Sequence, residues 1–315
     1  MIGLAEIRAA RERVRDSVAT TPLLRLDADG PCEILLKLEC LQPIGSFKLR
    51  GALSAVRAAD PAELAAGVLT TSAGNMAQGV AWAAREAGVP ATVIAPEHAP
   101  RAKLDAVERL GGRVVAVPYD VWWQSMVDRG YPGVEGLFVH PVDDEAVMAG
   151  NGTIGLELCE QDADFDTVVI PWGGGGLTTG IASAVKGLRP DVRIVTVEPE
   201  TAAPMHASLA AGEPVEVEYT PSFVDGAGGR GLLPPMWERA RGLVDEAVVV
   251  PLDDAAAAVR LLAGRARVVA EGAGALAVAA ALAGAAGSGR VVCIVSGGNL
   301  DAAVLARILA GETPR

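Results

Sequence analysis

Residues 168–185 read VVIPWGGGGLTTGIASAV. A β-branched apolar run, four consecutive glycines and a helix-forming segment follow one another without a gap. The run 167–172 suits a strand covered on both faces. Successive glycines let main-chain N–H groups converge on one point and let a ligand approach closely. The helix that follows adds its positive N-terminal end. The segment reads as a phosphate cup, since a bare turn rarely needs four glycines. It is not G-x-G-x-x-G, and it lacks the Lys-Ser/Thr of a nucleotide P-loop.

The same strand–turn–helix grammar extends in both directions. Further strands are expected at 33–39, 67–72, 91–96, 113–118, 193–199, 246–251 and 290–296, most of them continuously apolar. Amphipathic helical patterns lie between most of them, as in GNMAQGVAWAAREAG and PRAKLDAVERLGG. This alternation, with short Gly/Pro-containing joints, predicts an α/β fold with parallel sheets. The longest irregular stretch, about 212–235, is long enough to be functional.

Bulk properties fit an enzyme of ordinary kind. The chain has 315 residues, 50% of them hydrophobic, which is ample for two domains at about one per 150 residues. Net charge is −12 and no Lys/Arg block stands out, so nucleic acid is not an expected partner. Cys32, Cys40, Cys159 and Cys293 are far apart and form no C-x-x-C pair, and His98, His140 and His206 lack metal-ligand spacing. Free thiols point to a reducing compartment. The amphipathic start MIGLAEIRAARERV is no signal peptide, and no apolar run reaches the ~20 residues of a membrane span. A cytoplasmic protein with no membrane association is expected.

A lysine in unusual company suggests the chemistry. In LQPIGSFKLRGA (41–52), Lys48 opens a helix between Phe47 and Leu49, with Ile44 and Leu53 nearby. Three more strand–turn–helix units carry polar residues where ligands gather in open α/β sheets. They are Asn75 in TTSAGNMAQGVAW, Ser296 and Asn299 in VSGGNLDAA, and Glu271 in AEGAGALAV. Each also has a plain reading: Asn75 and Asn299 as helix caps, Glu271 as a charge at a helix start. A lysine in apolar surroundings together with a phosphate cup is what a phosphorylated aldehyde cofactor needs, and pyridoxal phosphate is that cofactor.

The segments KLECLQPIGSFKLRGA, TSAGNMAQGVA, PVDDEAVMAGNGTIGLEL, GGGGLTTGIA, EGAGA and SGGN, in this order, resemble the fold-type II pyridoxal-phosphate enzymes. The likeness is greatest to the threonine/serine dehydratase (ammonia-lyase) group, which is similar to serine racemase. It spans about residues 20–310. It implies two tryptophan synthase beta-like α/β domains, a small one at 49–140 and a large one at 1–48 plus 141–315, with the cofactor in the cleft between them. It implies Lys48 as the Schiff-base lysine and base, a role that apolar surroundings suit by lowering an amine's pKa. Phe47 packs beside the cofactor ring, and Asn75 bonds the ring hydroxyl. Gly173, Gly174, Gly175, Gly176 and the Leu177 N–H hold the phosphate. Ser296 faces the pyridine nitrogen and completes the catalytic pair with Lys48. Ser72, Ala73, Gly74, Asn75 and Met76 form the substrate loop. A homodimer or other homo-oligomer acting on a small amino acid is implied.

The expected reaction is conversion of L-threonine and/or L-serine to a 2-oxo acid and ammonia. Its alternatives are the same chemistry on another 3-hydroxy amino acid such as 3-hydroxyaspartate, a serine-racemase-like activity, or a non-catalytic cofactor-binding protein. Three departures bear on these. Met76 replaces the usual His. Ala73 replaces the Ser that serves as second base in serine racemase, which speaks against racemisation. Glu198 matches one ligand of the divalent-cation site of some relatives, but Pro204 stands where a second acid belongs, so no metal is expected. Trp122 and Trp123 read as helix packing, with an altered pocket as the other option. No regulatory domain is expected after the last strand–helix unit.

Overall fold

A computed structural model describes residues 1–99, 101–162 and 164–315. Its strands are β1 (Leu23–Arg25), β2 (Glu33–Lys37), β3 (Val68–Thr71), β4 (Ala91–Pro96), β5 (Arg113–Val117), β6 (Leu137–Phe138), β7 (Thr167–Pro171), β8 (Arg193–Pro199), β9 (Glu246–Val250) and β10 (Arg290–Ile294). They form a six-stranded sheet in the order β1-β2-β10-β7-β8-β9 and a four-stranded sheet in the order β5-β4-β3-β6. All pairings are parallel except β1 with β2. The expected class, α/β with two parallel sheets, is borne out.

All eight expected strands are present, several ending one or two residues early. The run 33–39 stops at Lys37, and a 3₁₀ turn takes Glu39–Leu41. Two strands were not legible. β1 has three residues and β6 two, too short to carry a period.

Burial follows position in the sheet. Central β7 is buried at every residue, while edge strands β5 and β9 each carry exposed ones. Along β7, Val168 and Ile170 join Leu35, Ile181 and Ile194 in one core, and Val169 joins Leu36, Val197 and Leu276 in another. Alternate residues thus feed the two faces of the large sheet. The small sheet shares a core with the helices Lys48–Ala58 and Asn75–Ala87, through Leu53, Met76, Val80 and Val93. The helix that begins with Lys48 therefore packs with the small sheet, although the residues just before it pair with the large one. No helix among the described residues is long and apolar enough to cross a membrane.

Candidate active site

The glycine cup lies where the sequence puts it. β7 ends at Pro171, Trp172 follows, and the helix Gly176–Leu188 starts at the fourth glycine. Gly175 has φ +92°, a left-handed value that only glycine adopts without strain. The other glycines are required by space. A Cβ on Gly174 would lie 2.4 Å from Val142 Cγ2, and one on Gly176 3.0 Å from the Val142 carbonyl oxygen. The first N–H groups of a helix have no partner within it. Those of Gly176, Leu177 and Thr178 are therefore left for an anion.

One cavity joins the cup to the lysine. Gly173, Gly174, Gly175, Gly176 and Leu177 line it, with Phe47, Lys48 and Ser296. Main-chain pairing sets this up: Phe47 N–H donates to the Ser296 carbonyl (3.0 Å), and Ser46 bridges to Gly297. Ser296, two residues past β10, is thereby fixed beside Lys48 on the first turn of its helix. Lys48 Nζ donates to the Pro141 carbonyl (3.0 Å) and lies 5.2 Å from the Phe47 ring centre. Loss of hydration lowers its amine to about 8, against a smaller opposing pull from Glu271. Lys48 is half-buried and lines this cavity.

The 140–143 turn was missed by sequence reasoning as part of the site. The Val142 and Asp143 N–H groups both donate to His140 Nδ1, at 3.0 and 2.8 Å. Burial, with Arg129 adding to it, lowers His140 to about 4, so the ring is neutral and Nδ1 stays free to accept. The turn thus pinned carries the Pro141 carbonyl to Lys48 and Val142 against the cup. His140 was visible in the sequence only as a histidine without metal spacing. Gly226, also on the cavity wall, falls in the long irregular stretch already marked as functional. Its neighbour Asp225 pairs with Lys103 of the helix Arg101–Arg109.

The residues expected to form a substrate loop differ in their surroundings. Ser72, Ala73 and Gly74 are half-buried between β3 and the helix Asn75–Ala87, and the space a Gly74 Cβ would take is open. Met76 corrects the expectation: its side chain is 1% exposed and sits in the small-sheet core. One residue along a helix turns a side chain by about 100°, which carries Met76 away from Asn75 and onto the sheet. Trp122 packs on Leu69, Ile94 and Val117, and neither it nor Trp123 lines the cavity.

Glu198 is engaged by the main chain. Its carboxylate accepts from the Met205 and His206 N–H groups (2.9 and 2.8 Å) and so caps the helix Pro204–Ala211. Burial raises it to about 7. Pyridoxal phosphate fits the residues present: the cradle is one that Cβ atoms would fill, and a desolvated amine stands at the other end of the same cavity.

The chain belongs to the pyridoxal-phosphate dependent enzymes, whose family model matches residues 14–297. It is 39% identical over 315 residues to the L-threonine ammonia-lyase of Thermotoga maritima, covering 98% of this chain and 78% of that one. Among solved structures it resembles maize serine racemase, with a TM-score of 0.91, 32% identity and coverage of 98% and 97% of the two chains. It also resembles the processed form of threonine deaminase isoform 2 from Solanum lycopersicum, with a TM-score of 0.87, 34% identity and coverage of 98% and 87%. The resemblance read from six short segments is borne out over nearly the whole chain.

Proposed function

We propose that this enzyme deaminates a β-hydroxy amino acid, L-threonine and/or L-serine, to a 2-oxo acid and ammonia. The observation that carries the reading is the single cavity with the Lys48 amine, lowered to about 8, at one end and the glycine cup at the other. Lys48 attaches the cofactor, Phe47 packs on its ring, Asn75 donates to its ring oxygen, and Ser296 faces its nitrogen. The cup and the Leu177 N–H take its phosphate. Bound pyridoxal phosphate supplies a carbonyl carbon that condenses with amines and a ring that takes up the electron pair left at Cα.

The protein's own groups do the rest. In the loop Ser72–Asn75 the Ser72 N–H bonds the Ile94 carbonyl and the Gly74 N–H the Ser72 hydroxyl, which leaves the Ala73 and Asn75 N–H groups at a helix start for the substrate carboxylate. Lys48 Nζ, displaced by the substrate amine, is part neutral near pH 8 and takes the Cα proton. The Cβ–O bond then breaks and the hydroxyl, taking a proton from the Lys48 ammonium that holds the one removed from Cα, departs as water. The enamine product takes up water and yields the 2-oxo acid and ammonia. A hydroxyl at Ser296, where a carboxylate would hold a proton on the ring nitrogen, favours this elimination over reactions that need a long-lived carbanion. Ala73 has no proton to give to the opposite face, which speaks against racemisation. Four free thiols fit a cytoplasmic setting, and a homo-oligomer is the assembly the resemblance implies.

The test is a substrate panel with 2-oxo acid detection, alongside borohydride reduction and peptide mapping. L-threonine or L-serine should give the 2-oxo acid, without D-enantiomer accumulating at a comparable rate, and the reduced cofactor should map to Lys48. Turnover of 3-hydroxyaspartate alone would move the substrate assignment. A label on another lysine would overturn the site.

A further inference from the structure

Three polar residues that resemble helix caps in the sequence cap nothing. Asn75 is the first residue of its helix, and no side chain caps that helix's start. Glu271 precedes the helix Gly272–Leu282 without a capping bond. Asn299 stands before the helix Ala302–Leu309, whose cap is Asp301. Instead the three bond to one another. Asn299 Nδ2 donates to the Ile44 carbonyl (2.8 Å) and to Asn75 Oδ1 (2.8 Å), and Asn75 Nδ2 donates to Glu271 Oε1 (2.8 Å).

The chain of bonds has one direction. A main-chain carbonyl only accepts, so Ile44 fixes which end of Asn299 carries the N–H groups. The second of those N–H groups fixes which end of Asn75 is oxygen. A carboxylate at the far end accepts from the nitrogen that remains. Turning either amide over would set donor against donor or acceptor against acceptor in a half-buried place, which is costly. Glu271 is itself confined: a Cβ on Gly297 would lie 2.4 Å from its Oε1, and one on Gly226 3.5 Å. Gly297 thus leaves room for the carboxylate where any side chain would push it away, and Gly226 bounds it at ordinary contact distance.

We propose that Asn299 and Glu271 are positioning residues that lock the Asn75 amide in one orientation, so that its one remaining N–H serves as the donor to the cofactor's ring oxygen. This rests on the reading of Asn75 as the ring-oxygen contact. A donor there favours the ionised ring oxygen, whereas a reversed amide would present a carbonyl and favour the protonated one. Because Asn75 starts a helix of the small sheet while Glu271 and Asn299 belong to the large one, the contact is complete only when the two parts meet.

The experiment measures the pyridoxal phosphate Kd of the cofactor-free protein and the pH dependence of the bound cofactor's visible absorbance. Asn299→Ala should weaken binding about 10-fold, the equivalent of one lost hydrogen bond, and shift the absorbance titration. Asn299→Asp, equal in size and without N–H groups, should act in the same direction with the fold kept. In an Asn75→Ala background neither change should alter Kd or spectrum, since the residue it acts through is gone. Glu271→Gln, which keeps an acceptor for Asn75, should retain the wild-type titration, and Glu271→Leu should lose it. Equal effects of Asn299→Asp in both backgrounds, or none in either, would overturn the proposal. Wild-type affinity and spectrum in Asn75→Ala alone would instead remove the cofactor contact on which it rests.

Discussion

Lys48 and Arg50 are two residues apart on one helix, and each carries a cationic group into the protein. Arg50 is fully buried and fully paired. Its Nε and Nη2 donate to Glu39 (2.8 and 2.9 Å), its Nη1 to Glu157 (2.6 Å) and Thr153 (3.0 Å), and its Nη2 also to the Ala19 carbonyl (3.1 Å). Lys37 bonds the other Glu157 oxygen. Burial alone would lower Arg50, but the two carboxylates overcome it and raise its pKa. Lys48 has one neutral acceptor, the Pro141 carbonyl, and its pKa falls. A buried cation surrounded by carboxylates is fixed in charge and place, and one left with a carbonyl can give up its proton and form a bond. Proximity in sequence therefore says little about which of two inward-reaching cations is free to give up its proton.

Exchanging the two roles by mutation gives the largest effects. Lys48→Ala should cut 2-oxo acid formation by at least the 10²–10⁴-fold, roughly, that a general base contributes. Its melting temperature without cofactor should equal or exceed the wild-type value, because a poorly solvated amine is removed. Arg50→Met should do the reverse to stability, leaving Glu39 and Glu157 buried without their partner at a cost of about 3–5 kcal/mol in denaturant unfolding. If Lys48→Ala were the more destabilising of the two, the contrast would fail.

A finer version of the same contrast concerns the cup, where geometry rather than charge excludes side chains. Gly174 has an ordinary φ, so Ala is permitted by the backbone and only Val142 stands in its way. Gly174→Ala should weaken pyridoxal phosphate binding by about 1–3 kcal/mol, the usual cost of overpacking. Val142→Ala in the same chain should recover much of the loss, as read by cofactor titration. Gly175→Ala should not be rescued in that way, because its φ of +92° is itself strained for any other residue.

The cup, the lysine and Ser296 were legible because each is a local pattern: an apolar run, glycines and a helix, or a lysine among apolar neighbours. The ion cluster of Lys37, Glu39, Arg50 and Glu157 was not, since its members are ordinary charged residues up to 120 positions apart. The expected strand 33–39 took in two of them, although only Lys37 belongs to β2 and Glu39 lies in the 3₁₀ turn that follows. His140 gave no local signal, because its role depends on which turn it pins. Asn75, Asn299 and Glu271 were visible, but a cap and a long-range bond look alike in sequence, both needing a small polar residue at a helix start. Met76 was placed at the substrate by the family resemblance, but its side chain lies in the small-sheet core, one helix rotation away from Asn75.

The smallest expected effect is on stability against pH, and it isolates Lys48 and Glu271 from the fixed charges around Arg50. Burial, with the nearby Asp225 charge, raises Glu271 to about 7 in the folded chain, while Lys103, the Asn75 bond and Lys48 pull the other way. Between about 4.5 and 7 the folded protein keeps a proton that the unfolded chain has shed, so Glu271 makes stability fall as pH rises. Lys48 has the opposite slope: between about 8 and 10.5 the unfolded chain holds the proton and the folded one does not, so stability climbs. Each slope is at most about 1.4 kcal/mol per pH unit. His140, lowered to about 4, opposes the Glu271 slope below about 6.5, Glu198 adds to it, and the thiols that burial raises oppose Lys48 above about 9. Differences between variants remove these shared contributions. Without cofactor, the stability of Lys48→Met minus that of wild type should therefore be positive below about pH 8 and decline steadily above it. The same difference for Glu271→Gln should change chiefly on the acid side, with a smaller change near pH 8 because the Glu271 charge also acts on Lys48. A Lys48→Met difference that stays constant from pH 7 to 10 would mean that the Lys48 amine has an ordinary lysine pKa, and that its apolar setting does not prepare it to act as a base.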